Sequence, residues 1–169
     1  MTDSYDAIII GGGPACAVSA LLLARAGIKV CVLEKSRHPR FHIGESMLPR
    51  SLPLIQELGL EPALRRLPHV AKYGAEFGIG NDPKTMCFEF ADGLMPGSPA
   101  FNIERAHFDK MLLDSARDAG AEVFEETAVN QILKLEDDAV EVMANGRKFL
   151  GRILLDCSGQ GTVVGRHLN

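Results

Sequence analysis

A buried strand that runs straight into three glycines and then into a helix is the feature that most constrains this chain. Residues 5–10, ending in Ile8-Ile9-Ile10, read as a short apolar strand of the kind a parallel sheet buries on both faces. The run stops at once in Gly11-Gly12-Gly13. A helix is predicted over residues 14–26, with Pro14 in the first turn, where its missing N–H costs nothing. Gly27 ends it. The helix is apolar almost all round, at Ala17, Val18, Leu21, Leu22 and Leu23, which predicts packing within the fold rather than on its surface. Residues 29–33 read as a second buried strand. Strand, glycine turn, helix and strand make a βαβ unit, right-handed by the usual chirality.

The chemistry that such a turn serves is phosphate binding. Gly11 allows a tight turn, and Gly13 lets the backbone approach a pyrophosphate. Pro14, Ala15 and Cys16 then open the helix, whose free N–H groups and positive dipole end attract the phosphates. Glu34, 21 residues after Gly13, ends the second strand where an acceptor for ribose hydroxyls belongs. Cys16 stands where a third glycine usually permits close helix–strand packing, and its small side chain predicts a modest increase in spacing. The turn and Glu34 do not separate NAD from FAD.

Beyond Glu34 the composition becomes polar and basic over residues 35–45. Helical segments are predicted at residues 49–58 and 61–67, and strands at 73–79 and 85–90. Residues 104–119 carry an amphipathic helix, with Phe108, Met111, Leu112 and Ala116 on one face and Gly120 at its end. Strand-like runs follow at residues 122–124, 129–135, 140–143 and 148–150. Asp137-Asp138 and Asn145-Gly146 are turn signals that join the last three into a meander. A final buried strand, residues 153–156, runs into Cys157-Ser158-Gly159. The fold class expected is α/β, a Rossmann-type parallel sheet with the β-meander inserted as a crossover.

The 169 residues match the size of one domain, for which roughly 150 is the usual prior. A net charge of −4 argues against a nucleic-acid partner. Four cysteines, Cys16, Cys31, Cys87 and Cys157, stand far apart, as suits free thiols in a reducing, cytoplasmic compartment. The longest apolar stretch, residues 15–24, is far short of the roughly 18 residues of a membrane span. His38 and His42 are four apart but have Pro39 between them in a loop, so they are not read as a metal pair. Gly161-Thr162 resembles a helix start only seven residues before Asn169, which suggests a fragment of a longer enzyme.

Several stretches together resemble one family. They are the Gly-Gly-Gly-Pro-Ala run with Glu34-Lys35, the loop Pro39-Arg40-Phe41-His42-Ile43-Gly44-Glu45-Ser46, the helix with Glu104-Arg105 and Phe108-Asp109, and Asp156-Cys157-Ser158-Gly159. The chain is similar to the FAD-dependent oxidoreductases that include aromatic hydroxylases, geranylgeranyl reductases and flavin-dependent halogenases. The resemblance implies FAD as cofactor. It places Gly11, Gly13, Pro14, Ala15, Cys16, Glu34, Lys35, Arg40, Ile43, Gly44, Glu45, Ser46, Arg105, Val129 and Gly159 at the cofactor, with Arg40 facing a phosphate and Arg105 approaching FAD from its helix. By default Arg105 is a solvated residue near a helix start, and Glu45 is a carboxylate meeting a helix dipole.

Within that family, Ile43-Gly44-Glu45-Ser46-Met47-Leu48-Pro49 and Lys72-Tyr73-Gly74-Ala75 look most like the halogenase branch. There the lysine before Tyr-Gly-Ala is catalytic, which implies that role for Lys72, otherwise a surface lysine. The implied enzyme is halogenase-like or monooxygenase-like and acts through a flavin peroxide on a small organic substrate, free or carrier-protein-bound. Its electrons come from a flavin reductase or NAD(P)H. The alternatives are a reductase of isoprenoid double bonds and a dinucleotide-binding module without turnover. The family's later Gly-Asp motif and the halogenases' tryptophan-rich motif are absent from the 169 residues, so residues 1–169 are read as the FAD-binding portion without a substrate domain.

Overall fold

The computed structural model describes residues 3–78, 80, 84–93 and 100–168. The chain enters through β1 (Asp3–Ser4), β2 (Ala7–Ile10), α1 (Pro14–Arg25) and β3 (Val30–Leu33). Next come α2 (Ser51–Glu57), α3 (Glu61–Leu64), β4 (His69–Lys72), β5 (Gly74–Gly78), β6 (Thr85–Glu89) and β7 (Ala100–Ile103). It closes with α4 (Arg105–Asp118), β8 (Glu122–Phe124), β9 (Val129–Glu136), β10 (Ala139–Ala144), β11 (Arg147–Gly151), β12 (Ile153–Asp156) and α5 (Val163–Leu168). Contacts divide the chain into two compact units: Met1–Arg40 with Asp109–Asn169, and Phe41–Phe108.

The first unit holds a parallel sheet in the order β12-β2-β3-β8 and a second sheet in the order β1-β11-β10-β9. Every residue of β2 and β3 is buried, the pattern of strands covered on both faces. The meander lies in sequence between β8 and β12, so it is the crossover expected. Asn145 and Gly146 both have positive φ, 47° and 75°, as the two-residue turn between β10 and β11 requires. Ile8, Cys31 and Leu33 of the parallel sheet share a core with Ile132, Val140, Val142 and Phe149 of the meander. Alternation along the strands leaves Ile9 and Val32 on the opposite face, and α1 packs on these same two strands.

In the second unit β4 pairs with β7 and β5 with β6, both antiparallel. Phe90, Phe101, Ile103, Leu52, Ile55 and Leu64 are buried there.

Four expectations need correcting. Helix α1 is not enclosed: Cys16, Ala17, Ala20 and Leu21 are buried, while Leu22 is 49% exposed. The helices expected over 49–58 and 61–67 are shorter, Ser51–Glu57 and Glu61–Leu64. Strands β1, β4 and β7 were not foreseen. The strand expected over 73–79 is Gly74–Gly78, and Ile79 lies outside the described residues.

Candidate functional site

The three glycines after β2 each have a different neighbourhood. Gly11 has φ +113°, and a Cβ there would lie 2.5 Å from the Cys157 carbonyl oxygen. The crowding follows from the sheet: β12 runs beside β2, and the Cys157 amide donates to the Ile10 carbonyl. A Cβ on Gly12 would come within 2.7 Å of the Glu34 carboxylate and 2.9 Å of His38 Cε1. At Gly13 a Cβ would meet no described atom within 4 Å.

Gly13 is the N-cap of α1, and Pro14 opens the first turn, which carries no acid and no side-chain cap. Unclaimed amides at that end are a seat for an anion. Ala15 is exposed on the same turn. Cys16 is fully buried and its thiol donates to the Gly11 carbonyl, tying the helix start back to the strand end. Burial above all, then Cys157 and Glu34, push that thiol far above the ordinary range. It is a donor, not a nucleophile.

Glu34 is 2% exposed at the end of β3. Its amide donates to the Phe124 carbonyl, its carbonyl accepts from the Thr127 amide, and its Oε1 accepts from the Ser36 amide at 2.8 Å. Arg40 Nε stands 3.7 Å from that oxygen, too far for a hydrogen bond, and is buried without a partner. Lys35 is exposed. His38, which the sequence marked only by its loop and its spacing to His42, is buried against this cluster. Its amide donates to Glu125 Oε1 at 2.6 Å, and Arg117 holds the other Glu125 oxygen at 3.1 Å. Burial works against Glu125's charge, but the His38 amide, Arg117 and the His38 ring outweigh it and hold its pKa below the usual range.

The Asp156 turn is a structural tie. Asp156 Oδ1 accepts from the Ser158 amide and hydroxyl, and Oδ2 from the Val164 amide. Gly159 follows with φ +63°. Burial opposes the Asp156 charge, yet the Ser158 hydroxyl and the amides of Val164 and Ser158 lower its pKa. Val129 begins β9 and packs, partly buried, against the meander core. The first unit thus gathers Gly11, Gly13, Pro14, Ala15, Cys16, Glu34 and Arg40 around one turn, with Gly159 just beyond the neighbouring strand.

In the second unit, Ile43 to Ser46 lie along β7: Ile103 donates to Glu45 O, Met47 donates to Phe101 O, and Ser46 bridges Asn102. Gly44 has φ +118°, and a Cβ there would be 2.9 Å from Arg105 Nη1. The same nitrogen donates to the Ile43 carbonyl at 3.3 Å. The amides of Glu45 and Gly44, helped by Arg105 and His42, lower the Glu45 pKa against its desolvation. Glu45 is therefore an ionised carboxylate tied to its own loop. Lys72 ends β4, with Nζ 5.0 Å above the Phe90 ring. It lines an open cavity of about 790 Å³ with Tyr73, Ala75, Cys87, Phe88 and Phe90.

A parallel sheet, a glycine turn at an uncapped helix start and a buried acid after the second strand define a dinucleotide-binding α/β protein. The chain belongs to the FAD binding domain family, which matches residues 4–151. Flavin-dependent halogenase armH3 of Armillaria mellea is 39% identical over 95% of this chain and 33% of its own length. A 1H-pyrrole-2-carbonyl peptidyl-carrier-protein chlorinase of Pseudomonas fluorescens is 30% identical over 99% of this chain and 42% of its own. Among solved structures, the flavin-dependent halogenase CmlS superposes with a TM-score of 0.85 at 34% identity, over 98% of this chain and 31% of that one. A flavoprotein/dehydrogenase of Cytophaga hutchinsonii gives 0.84 at 34%, over 97% and 41%. The chain thus spans between about a third and two fifths of each.

The cofactor is FAD, and the residues present fit it. Uncapped α1, open space at Gly13 and the orphaned Arg40 Nε are donors and room for a diphosphate. No described helix is long and apolar enough to cross a membrane.

Proposed function

We propose that residues 1–169 are the FAD-binding portion of a flavin-dependent halogenase acting on a small organic substrate, free or carrier-protein-bound. The single observation that carries the reading is Lys72, placed on β4 over the Phe90 ring at the wall of an open cavity. In this reading the α1 start and Arg40 hold the pyrophosphate, and Glu34 accepts from the adenosine ribose. Lys35, Val129 and Gly159 flank the cofactor. Ile43, Gly44, Glu45 and Ser46 line the flavin, braced by Arg105.

Bound and reduced FAD, with oxygen, supplies the oxidation of halide to hypohalous acid. A free hypohalous acid attacks protein and solvent indiscriminately, so a group must hold it against the substrate. The Lys72 amine does so by N–H donation or as a haloamine.

Electrons come from a flavin reductase or NAD(P)H. The described cysteines are all free, which supports a reducing cytoplasmic setting. Similarity to the carrier-protein chlorinase supports a tethered pyrrole as one substrate form. Similarity to the flavoprotein/dehydrogenase keeps a reductase as the second reading.

The test is Lys72→Ala in the full-length protein, with chloride or bromide and a panel of phenols and pyrroles, read by mass spectrometry. Halogenated product is lost, while FAD binding, flavin reduction and reoxidation survive. Undiminished product removes Lys72 from the mechanism. No halogenated product from the unmodified protein moves the enzyme to the hydroxylase or reductase reading.

A further inference from the structure

Among the described residues, His38 is a buried titratable group beside Glu34 that the proposed function leaves unused. It is 6% exposed, and neither ring nitrogen has a hydrogen-bond partner. Such a ring in a polar cluster is a donor short of its acceptor. The acceptor is near: Nδ1 is 3.5 Å from Glu125 Oε1, an ion-pair distance only slightly too long for a hydrogen bond. Cε1, between the two ring nitrogens, and the Glu34 carboxylate converge on the same point beside Gly12.

The charges around the ring are countable. Glu34 and Glu125 face it, and Arg40 and Arg117 stand beside those carboxylates. Two acids stand against two guanidiniums around the ring. A diphosphate held at the start of α1, as in the proposed function, would tip that balance negative. An imidazolium then restores it, and imidazole is the side chain whose charge changes between about pH 5 and 8.

We propose that His38 is a protonation-dependent positioning residue of the FAD site. As imidazolium it bonds Glu125 Oε1, presses against Glu34 beside Gly12, and fixes that carboxylate for the ribose hydroxyls. The inference rests on the reading that Glu34 meets the ribose. Binding and protonation are reciprocal, so FAD that favours the imidazolium is itself bound more tightly where the imidazolium exists.

The experiment is FAD titration into the full-length protein, followed by flavin fluorescence, at several pH values between about 6 and 8. Affinity is expected to fall about fivefold as the pH rises across that window. His38→Gln keeps an N–H for Glu125 without a titratable ring, so it binds FAD with a flat profile, and Glu125→Gln shallows the slope. A flat profile in the unmodified protein, or an unchanged slope in His38→Gln, overturns the proposal. A second measurement does not depend on the variant folding: the His38 ring resonance, titrated by NMR, has its midpoint raised by saturating FAD. An unmoved midpoint overturns it as well. Glu34→Gln separates the two ideas, because wild-type FAD affinity in that variant refutes the ribose reading whatever His38 does.

Discussion

At the scale of single residues, the glycine turn divides its labour in a way that mutation can separate. Gly11 meets backbone at 2.5 Å and has φ +113°, so Gly11→Ala strains the fold itself. A strained residue of this kind costs about 1–3 kcal/mol before any clash is counted. Gly13 has φ −81° and open space, so alanine there leaves stability nearly unchanged, while under the proposed function its Cβ would stand in the path of the diphosphate. Thermal unfolding and FAD titration of the two variants should part them: Gly11→Ala lowers Tm, whereas Gly13→Ala keeps Tm and weakens FAD. Equal loss of Tm in both would refute the division. The thiols make a second contrast. Cys16 and Cys31 are buried and Cys87 is exposed, so Ellman's reagent should modify Cys87 in the folded protein and spare Cys16 until it unfolds. Rapid labelling of Cys16 would show that its tie to Gly11 opens readily. The sequence made the glycines and Glu34 legible, because spacing alone assigns them. It left His38 obscure, because burial in a loop depends on partners such as Glu125, 87 positions away.

Among elements, legibility followed periodicity and turn chemistry. Strands β9, β10 and β11 were visible because β10 alternates half-buried and buried residues and Asn145-Gly146 closes its hairpin. Strands β4 and β7 were not. Each is four residues long, and β4 is exposed or half-buried throughout, so it offers no period of two. The error over α1 has another cause: a helix rich in leucine reads as enclosed, while Leu22 is in fact left half exposed beside a buried Leu21. The meander's hold on the parallel sheet centres on Phe149, fully buried and stacked edge-on with Phe124 at 5.2 Å. Phe149→Ala should cost about 3–5 kcal/mol, the range for deleting a buried phenylalanine. Urea unfolding measures it, and a loss under about 1 kcal/mol would mean that the core closes over the gap.

For the whole molecule, the chain leaves its first unit after Arg40 and returns to it at Asp109, so the dinucleotide unit is assembled from two distant segments. Length had suggested one domain, and no linker of low complexity marks the insertion. What joins the two segments is partly charge. Glu125 takes the His38 amide across that gap, while Asp156, wholly within the second segment, ties the end of β12 to α5. Both carboxyls have lowered pKa values, so the folded state binds fewer protons than the unfolded one. The stability they lend is complete above the unfolded pKa and is lost as the pH falls through the folded one. Ordinary carboxyls titrate near about 4. Urea midpoints should therefore hold between about pH 7 and 5 and drop steeply below about 4. Glu125→Gln and Asp156→Asn should start lower at neutral pH and fall less on acidification, since each has already given up its charge. A variant whose midpoint falls as far as the unmodified protein's would show that its carboxylate contributes nothing to stability.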